Sequence, residues 1–346
     1  MREFLLVVPD LMLASGLPRE ALAAALGTLR FGAAERLAGG WRGWLAARLR
    51  RPDLDSLPLA ATVALAAAGA GSTDAARGAA GAWLATPLHL VAGLDTLHLP
   101  RDGILSLTRA ERAELAADFI TVLGGDGLSL HAVEGDALLL RGLRVPQVTT
   151  VEPARCLGVD LVHAQPTGPG APALRRLMAE IEMWLHDHPV NRRREREGRA
   201  AVRSLWLWGG EARPTGAGSR ADAGSVAAAI ATATGIRQVY SNDAWVRAAA
   251  RLAAVELAAE DALPAEASFG APGDVLATAS LPSGAGADLD DFEHRYLRPA
   301  IAALGSGCLD GLSVISADRR VRVAASDRYR VWRPRRAWLT ALGAPV

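Results

Sequence analysis

The stretch Trp184–Gly210 reads WLHDHPVNRRREREGRAAVRSLWLWGG and brings together histidines, tryptophans and a run of arginines. It predicts a helix end, a basic loop and a buried strand, Ser204–Trp208, which two glycines close. In α/β proteins, ligands bind beyond the carboxyl ends of such strands. The stretch therefore favours an α/β fold and predicts one wall of a polar binding site.

Apolar runs and helical patterns alternate on either side of this stretch, which predicts a mostly parallel sheet flanked by helices. The first buried run, Phe4–Val8, leads to Asp10 at a sheet edge. Further predicted strands are Val159–His163, Gln238–Tyr240, Asp274–Thr278, Gly311–Ser316, Arg320–Ala324 and Arg328–Trp332. Predicted helices are Arg19–Leu29, Ala33–Leu49, Leu59–Ala68, Leu174–His186, Ser225–Thr234, Asp243–Leu257 and Leu289–Leu304.

The pattern changes in the middle of the chain. A capping box at Thr108 predicts the start of a helix there, and a pair of apolar runs after it predicts a hairpin. We expect residues 87–148 to form an inserted α+β subdomain. The remaining residues, 1–86 and 149–346, are predicted to form a discontinuous α/β core domain.

Composition excludes several classes of function. All 38 basic residues are arginines, so the chain has no Walker A lysine and no lysine for a Schiff base or a pyridoxal phosphate linkage. Cys156 and Cys308 have no zinc-ligand spacing and fit a reducing compartment. The net charge of +1 and the lack of a long apolar span argue against nucleic acid and membrane as partners. We expect a cytoplasmic protein.

Four segments carry a resemblance to a known family. They are His188-Pro-Val-Asn191 with the basic loop and strand that follow, Gly235–Arg247, Val151–Gly158, and the first strand up to Asp10. These segments resemble the archaeal-type cofactor-independent phosphoglycerate mutases of the alkaline phosphatase-like superfamily. They are still more similar to the bacterial RpfE-type regulatory proteins. The resemblance implies an alkaline phosphatase-like fold.

That superfamily uses two divalent metals and a serine nucleophile, which require a set of carboxylate and imidazole ligands. Most of these ligands are missing, because Leu276–Gly286 contains neither group and Asp318 is followed by an arginine where the resemblance implies a histidine. Ser72 and Asp10 are the candidate catalytic residues. The candidate metal ligands are Asp10, Asp243 and Asp318, although a turn or capping role also accounts for Asp10.

The arginine cluster after His188 has two interpretations. It is either a solvated basic loop or an anion site in which guanidinium groups bind phosphate or carboxylate in a bidentate manner. In the second interpretation the anion-binding residues are His188, Asn191, Arg194 and, as the resemblance implies, Arg247. The ligand would be a phosphorylated or carboxylated small molecule. His188 is otherwise expected at a helix end, where it interacts with the helix dipole.

Three functions follow from these patterns. The leading one is a catalytically degenerate, phosphoglycerate-mutase-like regulatory or anion-binding scaffold, for which we expect no cofactor and no enzymatic activity. The alternative is a working phosphomutase or phosphatase that holds two divalent metals, manganese or zinc, with a rearranged ligand set. The third is a purely structural protein that binds an unidentified protein partner, and it predicts an exposed apolar patch.

Overall fold

The computed structural model of this chain describes residues 2–9, 29–68, 79–93, 96–134, 137–145, 147–210, 234–259, 263, 269–279, 291–335 and 338–343. The chain forms two compact units. The first consists of residues 1–55, 231–242 and 250–346, and the second of residues 56–230 and 243–249. The predicted division into a core domain (residues 1–86 and 149–346) and an inserted subdomain (residues 87–148) remains a proposal.

The described residues form short strands and helices. The strands are, in chain order, β1 (Glu3–Val7), β2 (Glu35–Arg36), β3 (Trp83–Leu88), β4 (Val91–Ala92), β5 (Leu97–Leu99), β6 (Ser129–Ala132), β7 (Leu138–Arg141), β8 (Val159–Asp160), β9 (Ser204–Trp208), β10 (Ile236–Tyr240), β11 (Glu256–Ala258), β12 (Asp274–Thr278), β13 (Gly311–Ser316) and β14 (Arg319–Ala324). The α-helices are α1 (Gly40–Arg48), α2 (Leu59–Ala68), α3 (Arg109–Leu123), α4 (Ala171–His186), α5 (Pro189–Arg196), α6 (Ala244–Leu252), α7 (Arg298–Ser306) and α8 (Trp338–Leu342).

The first unit is built on a seven-stranded sheet with the strand order β11-β10-β12-β1-β13-β14-β2. The strands from β11 to β13 run parallel, whereas β14 and β2 are antiparallel to their neighbours. Every residue of β1, β12 and β13 is buried, as expected for central strands of a sheet covered on both faces. The predicted mixed α/β class with a mostly parallel sheet is confirmed.

Helices α7 and α8 contribute to the core of the first unit. The Trp338 ring of α8 stacks on Phe292 with the ring centroids 5.8 Å apart, and its indole N–H donates to Glu293 Oε1 at 2.8 Å. Helix α7 continues directly from a π-helical turn, Glu293–Leu297, and has Pro299 near its start, where the missing N–H removes one helical hydrogen bond. It ends at Gly307, whose φ of +80° suits glycine.

The second unit contains a four-stranded antiparallel sheet of order β6-β7-β3-β9 and a three-stranded sheet of order β4-β5-β8. Strands β6 and β7 are the predicted hairpin. Helix α3 begins at the predicted capping box: the Thr108 hydroxyl accepts the Glu111 N–H at 3.2 Å, and the Glu111 carboxylate accepts the Thr108 N–H at 2.7 Å. Both local predictions are confirmed.

Strand β9 has the predicted bounds, but the sheet assigned to it was wrong. It pairs antiparallel with β3 in the second unit and does not belong to the parallel sheet. The rule that ligands bind beyond the carboxyl ends of parallel strands therefore does not apply to Gly209 and Gly210. A side chain at Gly210 would collide with the indole of Trp83, which accounts for the second glycine.

The helix predicted over Asp243–Leu257 was too long. Helix α6 ends at Leu252, and the chain then turns into the edge strand β11. At the turn, Ala254 has a φ of +53° and the Val255 N–H donates to Ala250 O at 2.9 Å. This is the geometry of a helix C-terminus that glycine favours, so an alanine in that position gave no sequence signal.

The strand predicted over Arg328–Trp332 was also wrong, because the chain turns there. Ala325–Tyr329 form a 3-10 helix followed by turns. The Asp327 carboxylate accepts the Ala324 N–H at 2.9 Å and an N–H of the Arg333 guanidinium at 3.1 Å. A side chain that binds backbone within a few residues competes with strand pairing.

Smaller differences concern element lengths. The helix predicted over Ala33–Leu49 begins only at Gly40, and the strand predicted over Val159–His163 is limited to β8. The helices predicted over Arg19–Leu29 and Ser225–Thr234 fall, except for one end residue each, outside the described residues. None of the described helices has the length and apolar character that crossing a membrane requires.

Candidate functional site

The carboxyl edge of the parallel strands is where ligands bind in open α/β sheets. Strands β10 and β12 are neighbours, yet the chain continues from them toward opposite sides of the sheet. β10 leads to β11 at the sheet edge, and β12 leads past β1 to β13. Such a reversal opens a crevice between two strand ends. The ends of β10 and β12 are therefore the candidate site of the first unit.

Hydroxyl groups occupy this edge. The Ser241 hydroxyl, directly after β10, is hydrogen-bonded to the Thr278 hydroxyl at the end of β12, and both residues are buried. Ser316 ends β13 and is buried too, and its hydroxyl has no hydrogen-bond partner among the residues that the structure describes. Divalent metals in two-metal sites require carboxylate and imidazole ligands. The described part of this edge does not fit such a centre.

Two predicted metal ligands are hydrogen-bonded to other groups of the protein. Asp243 caps helix α6, because its Oδ1 accepts the Val246 N–H at 2.8 Å. Asp318 lies at the surface in the turn between β13 and β14, where its Oδ2 accepts the Arg36 Nε–H at 3.0 Å. Each carboxylate is thus matched with a donor of the protein itself.

Asp10 and Ser72, the two candidate catalytic residues, lie outside the described residues. Asp10 comes two residues after Val8, whose N–H donates to Ile315 O at 2.8 Å and so extends the pairing of β1 with β13. Within the described ranges, no three His, Cys, Asp or Glu side chains form a group that could hold a metal ion.

In the second unit, His188 of the HPVN motif is the N-cap of helix α5. Its Nδ1 accepts the Val190 N–H at 3.1 Å, which leaves the ring proton on Nε2. Nε2 lies 3.3 Å from Asp118 Oδ2. Burial lowers the pKa of His188 below its usual value of 6.5, although the carboxylates of Asp118 and Glu114 act in the opposite direction. The cap is therefore a neutral imidazole at neutral pH.

Asn191 of the same motif connects α5 to the element before it, helix α4, and to the segment after it that leads into β9. Its amide group donates to Leu185 O at 2.7 Å, near the end of α4, and to Val202 O at 2.8 Å, shortly before β9. Its carbonyl oxygen accepts the Val202 N–H at 2.8 Å. The side chain is buried, and these bonds fix α5 between helix α4 and strand β9.

Arg194 is buried against helix α3. Its Nη1 donates to Glu111 Oε1 at 2.9 Å and its Nε to Ala200 O at 2.7 Å, and the Arg194 and Glu111 side chains are each only 4% exposed. Burial raises the pKa of Glu111, but hydrogen bonds from Thr108 and Arg194 lower it by more, so that the net pKa lies below 4.5. The pair is a buried salt bridge at neutral pH.

An acidic face of α3 is the partner that sequence reasoning missed. Glu111, Glu114 and Asp118 follow one another at spacings of three and four residues, which places them on one side of the helix. Glu114 accepts an N–H of Arg193 at 2.8 Å, and Asp118 accepts the Trp184 indole N–H at 2.9 Å. The spacing after the capping box was the signal that would have identified this face.

Arg247, the fourth predicted anion-binding residue, lies on helix α6. Its Nη2 is 3.5 Å from Glu134 Oε2, and its side chain is 16% exposed. His188, Asn191 and Arg194 come together around α5, where protein groups bind them. Anion binding by these four residues stays a prediction.

A second polar cluster lies at the opposite, amino edge of the parallel sheet. The buried Glu3 carboxylate accepts hydrogen bonds from Ser313 Oγ at 2.5 Å and Arg320 Nη2 at 3.1 Å. Asp274 accepts the Glu3 N–H at 3.0 Å and pairs with Arg48. Each carboxylate thus has an arginine beside it, and the cluster joins the starts of β1 and β12.

Part of the chain is similar to a curated enzyme. A stretch of 62 residues is 39% identical to a probable 2,3-bisphosphoglycerate-independent phosphoglycerate mutase of Geobacter sulfurreducens. The stretch covers 18% of this chain and only 16% of that relative. No protein-family model matches the chain. The sequence similarity thus concerns a small part of either protein.

Two solved structures are distantly similar. A cofactor-independent phosphoglycerate mutase from Thermoplasma acidophilum aligns with a TM-score of 0.39 and 13% identity, covering 100% of this chain and 96% of that one. The PH0037 protein from Pyrococcus horikoshii aligns with a TM-score of 0.43 and 13% identity, covering 93% and 87%.

Proposed function

We propose that this chain is a phosphoglycerate-mutase-like protein of the alkaline phosphatase-like superfamily that lacks the two-metal site and acts as a regulatory or anion-binding scaffold. Its mutase-like segments, the short match to the Geobacter sulfurreducens relative and the mostly parallel sheet support the lineage. The narrower resemblance to RpfE-type regulatory proteins and a cytoplasmic location belong to the same proposal.

The observation that carries the proposal is the chemistry of the described strand ends. Ser241, Thr278 and Ser316 present hydroxyls where a two-metal reaction requires carboxylates and imidazoles. The two carboxylates nearest to these strand ends in sequence, Asp243 and Asp318, are held by a helix cap and a surface ion pair. A two-metal mechanism that has lost most of its ligands loses both activation of the nucleophile and stabilisation of the transferred phosphoryl group.

The alternative is a metal-dependent phosphomutase or phosphatase with a rearranged ligand set of Asp10, Ser72, Asp243, Asp318 and one or more histidines. One observation favours it: β1 lies between β12 and β13, so Val8, two residues before Asp10 in the sequence, lies at the centre of the carboxyl edge. This alternative requires Asp243 and Asp318 to leave the helix cap and the ion pair that now hold them.

Metal content decides between these two proposals. Untagged protein, expressed with manganese and zinc in the medium, is analysed by mass spectrometry as wild type and as Asp10→Ala. Asp102→Ala, which removes an exposed carboxylate in a turn of the second unit, is the matched control. The scaffold proposal predicts that all three proteins retain only trace metal.

Near-stoichiometric metal that is lost in Asp10→Ala and kept in Asp102→Ala would overturn the scaffold proposal. Turnover of 3-phosphoglycerate would then be the next assay. Retained metal that neither variant affects would also contradict the proposal, since it would place a metal site elsewhere.

Anion binding is tested best at Arg247, because an anion at Arg194 has to displace the Glu111 carboxylate. We expect 3-phosphoglycerate, or phosphate as the smaller probe, to raise the melting temperature of the wild type. The shift should disappear in Arg247→Gln and persist in Arg251→Gln, an exposed arginine one turn further along α6. Equal shifts in both variants would remove Arg247 from the proposed site.

A further inference from the structure

Residues 325–335, here called the aromatic loop, expose three large apolar side chains on the first unit. Tyr329 is 68% exposed, Val331 74% and Trp332 75%. Other tryptophans of the chain, such as Trp245 and Trp338, are buried. A group of exposed aromatic and aliphatic side chains is typical of an interaction surface rather than of an isolated surface residue.

The backbone of the aromatic loop is fixed by hydrogen bonds. Asp327 accepts N–H groups from Ala324 at 2.9 Å and from the Arg333 side chain at 3.1 Å, and it forms an ion pair with Arg330, whose Nε lies 3.1 Å from Oδ1. The Arg30 guanidinium donates to Val331 O at 3.0 Å and also to Arg333 O. Because these bonds restrain the loop, a partner that binds it has less of the backbone to order.

The charge that the loop presents outward is positive. The Asp327 side chain is only 7% exposed, whereas its partners Arg330 and Arg333 are 43% and 32% exposed. Arg335 beyond them is exposed as well. The surface around the three apolar side chains is therefore complementary to carboxylates.

We infer that the aromatic loop is a docking surface for an acidic protein segment that carries apolar side chains between its carboxylates. Tryptophan, tyrosine and arginine are the residues most enriched where binding energy concentrates in protein interfaces. Three apolar side chains on one short loop bury little area in a bilayer, and stable membrane anchoring requires more. The inference goes beyond the proposed scaffold role, since the loop would exist in an active enzyme as well.

The test uses a displayed library of random peptides selected on the immobilised full-length protein. We expect the enriched peptides to combine Asp or Glu with aromatic or aliphatic residues. Their synthetic versions should bind at least about tenfold more weakly to Trp332→Ala than to wild type. Binding should also weaken in Arg335→Ala and at high salt, because the carboxylates lose their partners or are screened.

Met183→Ala is the matched control, since Met183 is an apolar side chain of the second unit that is 70% exposed. It should leave peptide binding unchanged. Enriched peptides that bind Trp332→Ala as well as wild type would overturn the inference, and so would a selection that enriches nothing. If the protein binds no peptide but sediments with phosphatidylserine vesicles, and Trp332→Ala abolishes this sedimentation, the inference is overturned in favour of membrane association. Metal content does not affect any of these outcomes, so they are independent of the scaffold proposal.

Discussion

Two arginine-rich segments of this chain, residues 192–203 and 328–335, differ in where their acidic partners lie. In the first segment, Arg193 and Arg194 pair with carboxylates of helix α3 that are 79 and 83 residues away in sequence. In the second, Arg330 and Arg333 pair with Asp327, three and six residues before them. The first segment packs against another helix, and the second remains at the surface.

The difference shows what decides the role of an arginine cluster. A remote acidic helix face pairs with Arg193, Arg194 and Arg199 of the first cluster and makes Arg194 part of the interior. A single local carboxylate, itself buried, folds the second cluster into a loop and leaves its guanidinium groups facing solvent. An arginine is therefore withdrawn from other partners where a remote carboxylate of the chain is buried with it, as Glu111 is with Arg194.

Removing the buried charge of Arg194 in the first segment should cause the largest loss of stability. Arg194→Met keeps the apolar stem but leaves the Glu111 carboxylate buried, which destabilises a protein by about 3–5 kcal/mol. We expect a value at the lower end, because Arg199 Nη1 also lies 3.1 Å from Glu111 Oε1. Urea unfolding followed by circular dichroism measures the free energy of unfolding.

Two further variants sharpen this experiment. Arg196→Met changes an exposed arginine of the same helix and should alter stability by no more than about 0.5 kcal/mol. Adding Glu111→Gln to Arg194→Met should restore part of the loss, because the uncompensated charge is gone. If Arg194→Met is as stable as Arg196→Met, the two segments do not differ as described, and Arg194 is available for an anion.

Replacing Asp327, which binds the second segment, should cause a smaller loss of stability. Asp327→Ala removes the acceptor of the Ala324 N–H and of two guanidinium groups, and the loss of such bonds destabilises by about 1–3 kcal/mol. The aromatic loop should then become susceptible to trypsin after Arg330. Cleavage followed by mass spectrometry measures this, with Ser326→Ala, an exposed neighbour, as the control. Unchanged cleavage would show that Asp327 does not hold the loop.

Local signals made much of the fold predictable. Strands β12 and β13 and helix α2 have the predicted bounds, because continuous apolar runs and alanine-rich helical patterns specify their own conformation. The capping box at Thr108 likewise specified the start of α3. Pairing partners were not predictable in the same way, since an apolar run such as Ser204–Trp208 fits a parallel or an antiparallel sheet equally well.

The candidate site was less predictable than the fold for the same reason. The importance of His188, Asn191 and Arg194 was visible from their clustering, but the carboxylates beside His188 and Arg194 lie on α3, more than 60 residues earlier in the chain. The hydroxyl pair of Ser241 and Thr278 depends on the adjacency of β10 and β12, which no single segment encodes. The roles of Ser72 and Asp10 remain predictions.

Acidification should cause a still smaller loss of stability. This loss should arise from His188, beside the first segment, and not from the second segment. The pKa of His188 lies below 6.5 in the folded protein, so the unfolded chain binds the proton more readily. The stabilising contribution is complete above pH 6.5 and is lost as the pH falls through the lowered pKa. In His188→Asn, a neutral N-cap without a titrating ring, this part of the pH dependence should disappear. If the free energy of unfolding depends on pH in the same way in wild type and in His188→Asn, His188 is not the source of this pH dependence.

Truncation of the exposed tryptophan should have the smallest effect on stability. Trp332→Ala should change the free energy of unfolding by no more than about 0.5 kcal/mol, because a side chain that is 75% exposed loses little packing. Trp206→Ala, at a residue that is 2% exposed, should cost about 3–5 kcal/mol and provides the contrast within one residue type. Both values come from urea unfolding. If Trp332→Ala destabilises the protein by more than about 1 kcal/mol, Trp332 packs within the fold. The aromatic loop would then resemble the first arginine-rich segment, and the basis for docking a partner there would be lost.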